Sequence, residues 1–325
     1  MNPDQVPHCS FCQKQDAPLV VGTRGRICEE CALIAVHHFS KPPPFRQSGE
    51  VAKVQEKLMS TLNLPTLFEP ARKLARHLAS PINLPPGLLG HRDGRANHVL
   101  IVGPTGSGKT RLSLALRKVA PTAIVDVAQI TASGHDGAPL SATVRALLRE
   151  TGGDKHEARH GIVVLDNLDC WLSQPPDAHR RNLWWELLMY LEGCNVTYAD
   201  QAILETDNVI FVGLFRSQTS LEGNGTRALL ERGVPEYMIA RMSLRIFLDN
   251  PTAEDLLAVL ENANPPVFQE YKVTRSAREF LAERAADLNF GAWGLRHVLS
   301  ELDLLIGQEK REPKRIDAKF LERRF

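Results

Sequence analysis

The chain has 325 residues, 43% of them hydrophobic and 24% charged, with a formal net charge of +1. That length holds two or three domains, the composition is that of an ordinary globular chain, and the near-neutral charge excludes a global pull toward nucleic acid or membrane. No apolar stretch reaches the roughly 18 residues of a membrane span, and residues 1–7 carry no basic-then-apolar signal, so a cytoplasmic location is expected.

The first feature in chain order is a pair of Cys-x-x-Cys motifs, Cys9-Ser-Phe-Cys12 and Cys28-Glu-Glu-Cys31. Each pair suits a tight knuckle, and together they supply four soft thiolates for tetrahedral Zn²⁺. Residues 1–40 are too few to hold a core unaided, and bound zinc, worth about 10–16 kcal/mol, supplies the missing folding energy. A redox dithiol is the competing reading; two matched pairs argue against it. His8, His37 and His38 lie nearby but stay outside a shell that four thiolates complete. Arg24 and Arg26 are offset by Glu29 and Glu30. No aromatic–basic interleaving marks a nucleic-acid surface, so the module is expected to contact protein. Cys170 and Cys194 stand alone among apolar residues and read as reduced core thiols.

Residues 41–62 form the expected linker, stiffened by Pro42, Pro43 and Pro44. Val51–Leu62 and Glu69–Leu78 are predicted as short helices. Beyond a second proline-rich stretch, the apolar run Val99–Val102 leads into Gly103, Pro104, Thr105, Gly106, Ser107, Gly108, Lys109 and Thr110. A helix is predicted to follow, through Val119. The pattern G-x-x-x-x-G-K-[ST] between strand and helix is that of a phosphate loop. Its glycines let backbone N–H groups close around phosphate oxygens at a helix N-terminus. Lys109 is placed to reach the β- and γ-phosphates and Thr110 to hold Mg²⁺. A ligand-free glycine turn is the bland alternative, and the agreement of fixed positions with context weighs against it. ATP and Mg²⁺ are the expected ligands.

Strands are predicted at Thr122–Val127, Gly161–Leu165 and Val209–Gly213, with helices at Ser141–Glu150 and Arg181–Leu191. The second helix carries Trp184, Trp185 and Leu188 on an apolar face, the two tryptophans reading as core, with a subunit contact as the alternative. Apolar strands alternating with helices imply an α/β domain with a parallel sheet covered on both faces, over residues 63–250. Helices predicted at Thr252–Glu261, Ser276–Leu288 and Ala292–Ile306 make residues 251–325 a small, mostly helical domain. Asp166 ends an apolar strand, where a Mg²⁺-binding Walker-B carboxylate belongs. In active ATPases of this type an acid usually follows; here the residue is Asn167. An amide cannot accept a proton at neutral pH, and a positioned base is worth about 10²–10⁴ in rate. Slow or absent hydrolysis is expected. Asp169 is an alternative base, expected to point elsewhere. The basic residues of 310–325 read as a solvated face or final strand rather than a nucleic-acid patch.

A four-cysteine module, a proline-containing linker, this phosphate loop, the Gly161-Ile-Val-Val-Leu-Asp166 strand and a helical C-terminal domain together resemble ClpX. That is a family of AAA+ unfoldases that partner the ClpP peptidase. Val234-Pro-Glu-Tyr-Met-Ile-Ala-Arg241 is similar to the family's Pro-Glu-Phe-Ile-Gly-Arg, which implies that Arg241 is an arginine finger reaching a neighbouring subunit's γ-phosphate. Gly291-Ala-Trp-Gly-Leu-Arg296 is similar to the family's Gly-Ala-Arg-Gly-Leu-Arg. Trp293 then stands where the family has its nucleotide-contacting arginine, and Arg296, a turn away, is the surviving candidate. The resemblance implies a homo-oligomer, by expectation a hexameric ring.

The departures are several. Ser133-Gly-His-Asp-Gly137 replaces the pore segment Gly-Tyr-Val-Gly, and residues 191–206 are too few for the basic pore loop. No Ile-Gly-Phe tripeptide lies between Gly213 and Gly233, and no Tyr-Val-Ile-Gly-Gln precedes residue 95. With Asn167, these imply an ATP-binding protein with impaired hydrolysis. It would act as a nucleotide-dependent switch or adaptor for a protein partner, without docking on ClpP. The alternatives are an active unfoldase, and a nucleotide-dependent nucleic-acid-binding or loader protein; neutral charge weighs against the latter.

Overall fold

The structure is a computed structural model that describes residues 7–15, 17–23, 25–39, 50–79, 98–130, 138–172, 178–198, 202–217, 225–308 and 315–325. The chain divides into two units, residues 1–44 and 45–325. In the first, strands β1 (Leu19–Val21) and β2 (Arg26–Cys28) pair antiparallel and lead into the helix Glu29–Phe39. The hairpin shelters almost nothing apolar: Val20 and Val21 are each 69% exposed. Buried Cys9 and Cys28 stand where a larger domain would have its core.

The second unit is built on a sheet of five parallel strands. These are β3 (Val99–Gly103), β4 (Thr122–Asp126), β5 (Ile162–Asp166), β8 (Ile210–Arg216) and β9 (Leu244–Phe247). Their order is β4-β5-β8-β3-β9. Alternate side chains leave opposite faces of a strand, and β3 divides accordingly: Leu100 and Val102 join one core, Val99 and Ile101 the other. The first core is closed by helices Ser141–Glu150 and Ala178–Leu191, the second by Val51–Met59, Phe68–Ala79 and Lys109–Ala115. The helix Val51–Met59 lies within the stretch read as linker, and its Val54 and Leu58 are buried in that second core. Continuous apolar runs on β3, β5 and β8 are what burial on both faces demands.

Three elements went unseen in the sequence or end differently. β9 was not predicted, and β8 runs three residues beyond Gly213 to end on Arg216. The short segment before Thr206 folds as a hairpin of β6 (Asn195–Tyr198) and β7 (Ala202–Glu205). Trp184 is buried as expected, but Trp185 is 55% exposed and stacks on Tyr237 at 4.8 Å. Successive residues of a helix face different directions, so both indoles cannot enter one core.

Helices Ala253–Ala263, Arg275–Asp287 and Ala292–Gly307 enclose a separate core with Val273 of β10 (Lys272–Val273) and Ile316 of β11 (Arg315–Ile316). The first starts on a capping box, Thr252 accepting from Asp255 N–H while Asp255 accepts from Thr252 N–H. The Asp255 carboxylate also accepts from Thr66 N–H at 3.2 Å, tying this helix to the segment ahead of Phe68. The last helix begins at the phosphate loop: Ala292 N–H donates to Gly106 C=O at 3.0 Å. A Cβ on Gly106 would collide with the carbonyl of Phe290, and one on Gly291 would lie 2.5 Å from Gly106 carbonyl atoms. Gly291 also has φ +57°. Gly291→Ala is therefore expected to lower the unfolding free energy by about 1–3 kcal/mol in urea denaturation. An unchanged midpoint would refute the close approach.

Candidate functional site

The four cysteine sulfurs lie within 4.8 Å of one another. Cys12 Sγ and Cys28 Sγ are 3.6 Å apart, near the ~3.8 Å edge of a tetrahedron of sulfurs about 2.3 Å from a central zinc. The knuckle that sets Cys9 and Cys12 closes by Gln13 N–H donating to Cys9 C=O at 2.9 Å, with Gln13 at φ +65°. Cys9 Sγ accepts the backbone N–H of Cys28 at 3.3 Å and of Phe11 at 3.5 Å. Burial works to raise the Cys9 thiol, but backbone N–H groups of Cys12, Cys28 and Phe11 outweigh it and hold it down at about 6. Cys31 is pushed the other way, to about 12, first by its contact with Cys12. Four crowded sulfurs cannot all be thiolates without a cation among them, and the donor set, spacing and N–H bonds fit zinc. All six cysteines are free of disulfides.

The second cluster stands at the carboxyl edge of the parallel sheet, where open α/β sheets bind ligands. Gly106 and Gly108 have φ of +81° and +93°, the left-handed backbone that turns N–H groups inward. Leu67 packs against Gly108 so closely that a Cβ there would lie 2.8 Å from its Cδ1. Lys109 Nζ folds back on the loop, donating to Gly103 C=O at 2.7 Å and Pro104 C=O at 2.6 Å. Burial lowers the Lys109 ammonium to about 8 and Arg216 adds to the fall, while Asp169 and Asp166 oppose it. Ser107 Oγ is buried with no partner, and Thr105 and Thr110 are exposed.

Asp126 and Asp166 end neighbouring strands and sit directly opposite in register. Burial raises the Asp166 carboxyl and Asp126 adds to the rise, while the Asn167 N–H and Lys109 offset part of it. Asn167 is exposed, has φ +60°, and turns its amide Nδ2 onto Asp126 Oδ1 at 3.1 Å. The turn behind it is pinned by buried Leu168 and by Trp171, whose Nε1–H donates to Val127 C=O at 3.1 Å. Gly213 on β8 leaves room for Leu168, where a Cβ would stand 2.9 Å from its Cδ2. Asp169 is taken up by Arg216, accepting its backbone N–H at 3.0 Å, and its charge bears on Lys109. The sequence reading missed Asp126 and Arg216, because each reaches the site only through strand order.

The remaining predicted positions make contacts with other residues. Arg241, at the end of the helix Glu236–Arg241, binds Glu192 Oε1 of its own chain at 2.5 Å. Arg296 is exposed and lies over the Trp293 ring at 5.4 Å. His135 and the rest of 133–137 fall outside the described residues, as does 218–224 within the stretch searched for Ile-Gly-Phe. Among the described residues no helix is long and apolar enough to cross a membrane.

A five-stranded parallel sheet with this loop, joined to a helical region that touches it, defines a phosphate-loop protein of AAA+ architecture. No family model matches the chain. It is 24% identical to the ATP-dependent Clp protease ATP-binding subunit ClpX of Azotobacter vinelandii, over 92% of this chain and 85% of that protein. The likeness to ClpX of Treponema denticola is 25%, over 91% and 88%. With ClpX 2 of Wolinella succinogenes it is 25%, over 90% and 89%. The chain is thus similar to ClpX over most of its length, and the cysteine cluster and the five-stranded parallel sheet accord with a ClpX-like AAA+ fold.

Two outcomes follow. One zinc per chain is expected after metal loading, with a thiolate–cobalt absorption band on Co²⁺ substitution; both should be lost in Cys28→Ser, and an unchanged band would remove Cys28 from the shell. Lys109 sheds its proton at about 8 in the folded chain but near 10.4 when unfolded. Folded stability should therefore rise with pH between those values. Lys109→Met should lack that rise in denaturation series at pH 7.5 and 10.

Proposed function

We propose that this chain is an ATP-binding AAA+ protein with impaired hydrolysis, which uses bound ATP·Mg²⁺ as a structural switch in assembly with a protein partner. Its organisation on this reading is a zinc module at 1–40, a linker, a phosphate-loop domain to about residue 250 and a small helical domain beyond it. Residues 103–110 cradle the phosphates. Lys109 exchanges the carbonyls of Gly103 and Pro104 for phosphate oxygens, and Thr110 and Asp166 hold Mg²⁺, which neutralises phosphate charge when bound.

Asn167 carries the proposal. At the place of a catalytic acid stands an amide whose Nδ2 is spent on Asp126 and whose backbone is left-handed. Neither feature offers a water molecule a base. Arg241 is the proposed finger toward a neighbouring copy, and exchanging Glu192 for a phosphate would register assembly. Arg296 is proposed as a nucleotide contact from the helical domain. The zinc module is proposed to meet the protein partner. In support, it exposes Phe11 by 75% and Leu33 by 61%, large apolar side chains that water does not favour. The absence of an Ile-Gly-Phe tripeptide from the sequence supports a role apart from ClpP.

The test is to incubate zinc-loaded protein with radiolabelled ATP·Mg²⁺, isolate it, and identify the bound nucleotide over time. Persistent ATP is expected, lost in Lys109→Ala. Conversion to ADP with phosphate release would overturn impaired hydrolysis and restore the active unfoldase reading, with Asp169 the residue to examine as base.

A further inference from the structure

His156-Glu157-Ala158-Arg159-His160 lies just ahead of β5, at the amino end of the strand that carries Asp166. Two histidines four residues apart, with a glutamate after the first, make the H-E-x-x-H spacing, which sets both imidazoles on one face of a helical turn. Here the turn is the short helix Lys155–Ala158. Asp154 caps it, accepting the N–H of His156 at 2.8 Å and of Glu157 at 3.1 Å. The turn continues past the helix: Arg159 N–H donates to Lys155 C=O at 3.0 Å and His160 N–H to Glu157 C=O at 3.1 Å. Arg159 also ties the turn to β7, pairing with Glu205 at 2.7 Å.

The rings of His156 and His160 stand 5.6 Å apart, centre to centre, with their planes at 70°. Two imidazoles that each bind one tetrahedral ion through a nitrogen, at about 2.0–2.1 Å, have ring centres roughly 5–6 Å apart. The separation is therefore already that of two ligands sharing an ion. The cap and the Glu205 pair hold the turn in place, so little backbone freedom is left to lose on binding. His156 is exposed and His160 partly buried, which leaves the pair within reach of an ion from solvent. Among the described residues no third His, Cys, Asp or Glu joins them in a metal-sized group. Hydrolytic sites of this spacing use three protein ligands, so no such activity is assigned. Two imidazoles with water in the remaining positions suit a divalent transition ion such as Zn²⁺ or Ni²⁺, whereas Mg²⁺ and Ca²⁺ take oxygen.

We propose that His156 and His160 form a second metal site of this chain, an exchangeable site for a divalent transition ion, distinct from the four-cysteine cluster. The ion clamps the turn that leads into β5. Two ligands hold it less firmly than four, so it comes and goes with the free metal concentration while the thiolate-bound zinc stays. The assignment is independent of reading the phosphate loop as an ATP site.

Equilibrium dialysis of the full, zinc-loaded chain against Ni²⁺, with both metals counted by elemental analysis, tests it. One Ni²⁺ per chain is expected beside a retained zinc. His156→Gln and His160→Gln should each weaken Ni²⁺ by about tenfold or more, since the loss of even an outer partner of a metal ligand costs about 10–100-fold. The double variant should lose little beyond either single one, because one imidazole alone chelates nothing. Glu157→Gln, which keeps both rings, should move the affinity by less than about threefold. His156 is exposed, so His156→Gln should keep the metal-free urea midpoint of the wild-type chain. Ni²⁺ should raise that midpoint in the wild type and not in His156→Gln. Equal Ni²⁺ binding by the wild type and His156→Gln would overturn the assignment. So would Ni²⁺ that enters only by displacing the zinc, or that does not bind at all.

Discussion

No side-chain carbon fits between Gly106 and Gly291, and the rest of the second unit depends on that contact. Two glycine backbones, one in the phosphate loop and one ahead of the helix Ala292–Gly307, approach until Ala292 N–H reaches Gly106 C=O. The loop is thus shaped from both sides, with Leu67 behind Gly108 and the Phe290–Ala292 turn against Gly106. Whatever moves the loop moves the start of a 16-residue helix and the helical core packed on it. A packed core transmits such a shift rather than absorbing it, because its interior has little free volume. On the proposed reading of the loop as a nucleotide site, occupancy would bear on the helical region through this junction.

The second constraint is electrostatic. Parallel strands deliver Asp126, Asp166 and Arg216 to one edge, where Lys109 and Asp169 join them. Lys109 and Asp166 are partly buried, Arg216 and Asp169 are bonded to each other, and Asp126 bears on Asp166, so a change in one is felt by the others. Lys109 gripping carbonyls, Arg216 gripping Asp169 and Asn167 gripping Asp126 are three internal bonds formed by groups that ligand chemistry would claim. A ligand at this edge must compete with these bonds.

Much of this was legible in the chain. Cysteine spacing located the four-cysteine cluster because knuckle geometry is local, and the phosphate loop was legible because its residues are contiguous. The long helices beyond residue 251 fall close to where they were expected, since each is a continuous stretch of chain. What escaped depends on contacts distant in sequence. β9 is four residues long with only Ile246 fully buried, and its Arg245 interrupts the apolar pattern while bonding the carbonyls of Ile239 and Met242. Arg216 looks like a solvent-facing strand terminus until β8 is known to lie between β3 and β5. Asp126 becomes part of the site only once β4 is the neighbour of β5. Trp185 was misread because apolar character alone does not say which side of a helix meets the core.

The left-handed backbone at Asn167 bears on descent as well as on chemistry. Asparagine accepts that conformation readily, whereas a longer L-residue such as glutamate is penalised by about 1–2 kcal/mol. A reversion to the acid would thus land on a backbone that no longer suits it and would leave Asp126 without its amide donor. The local geometry thus favours asparagine over the acid at this position.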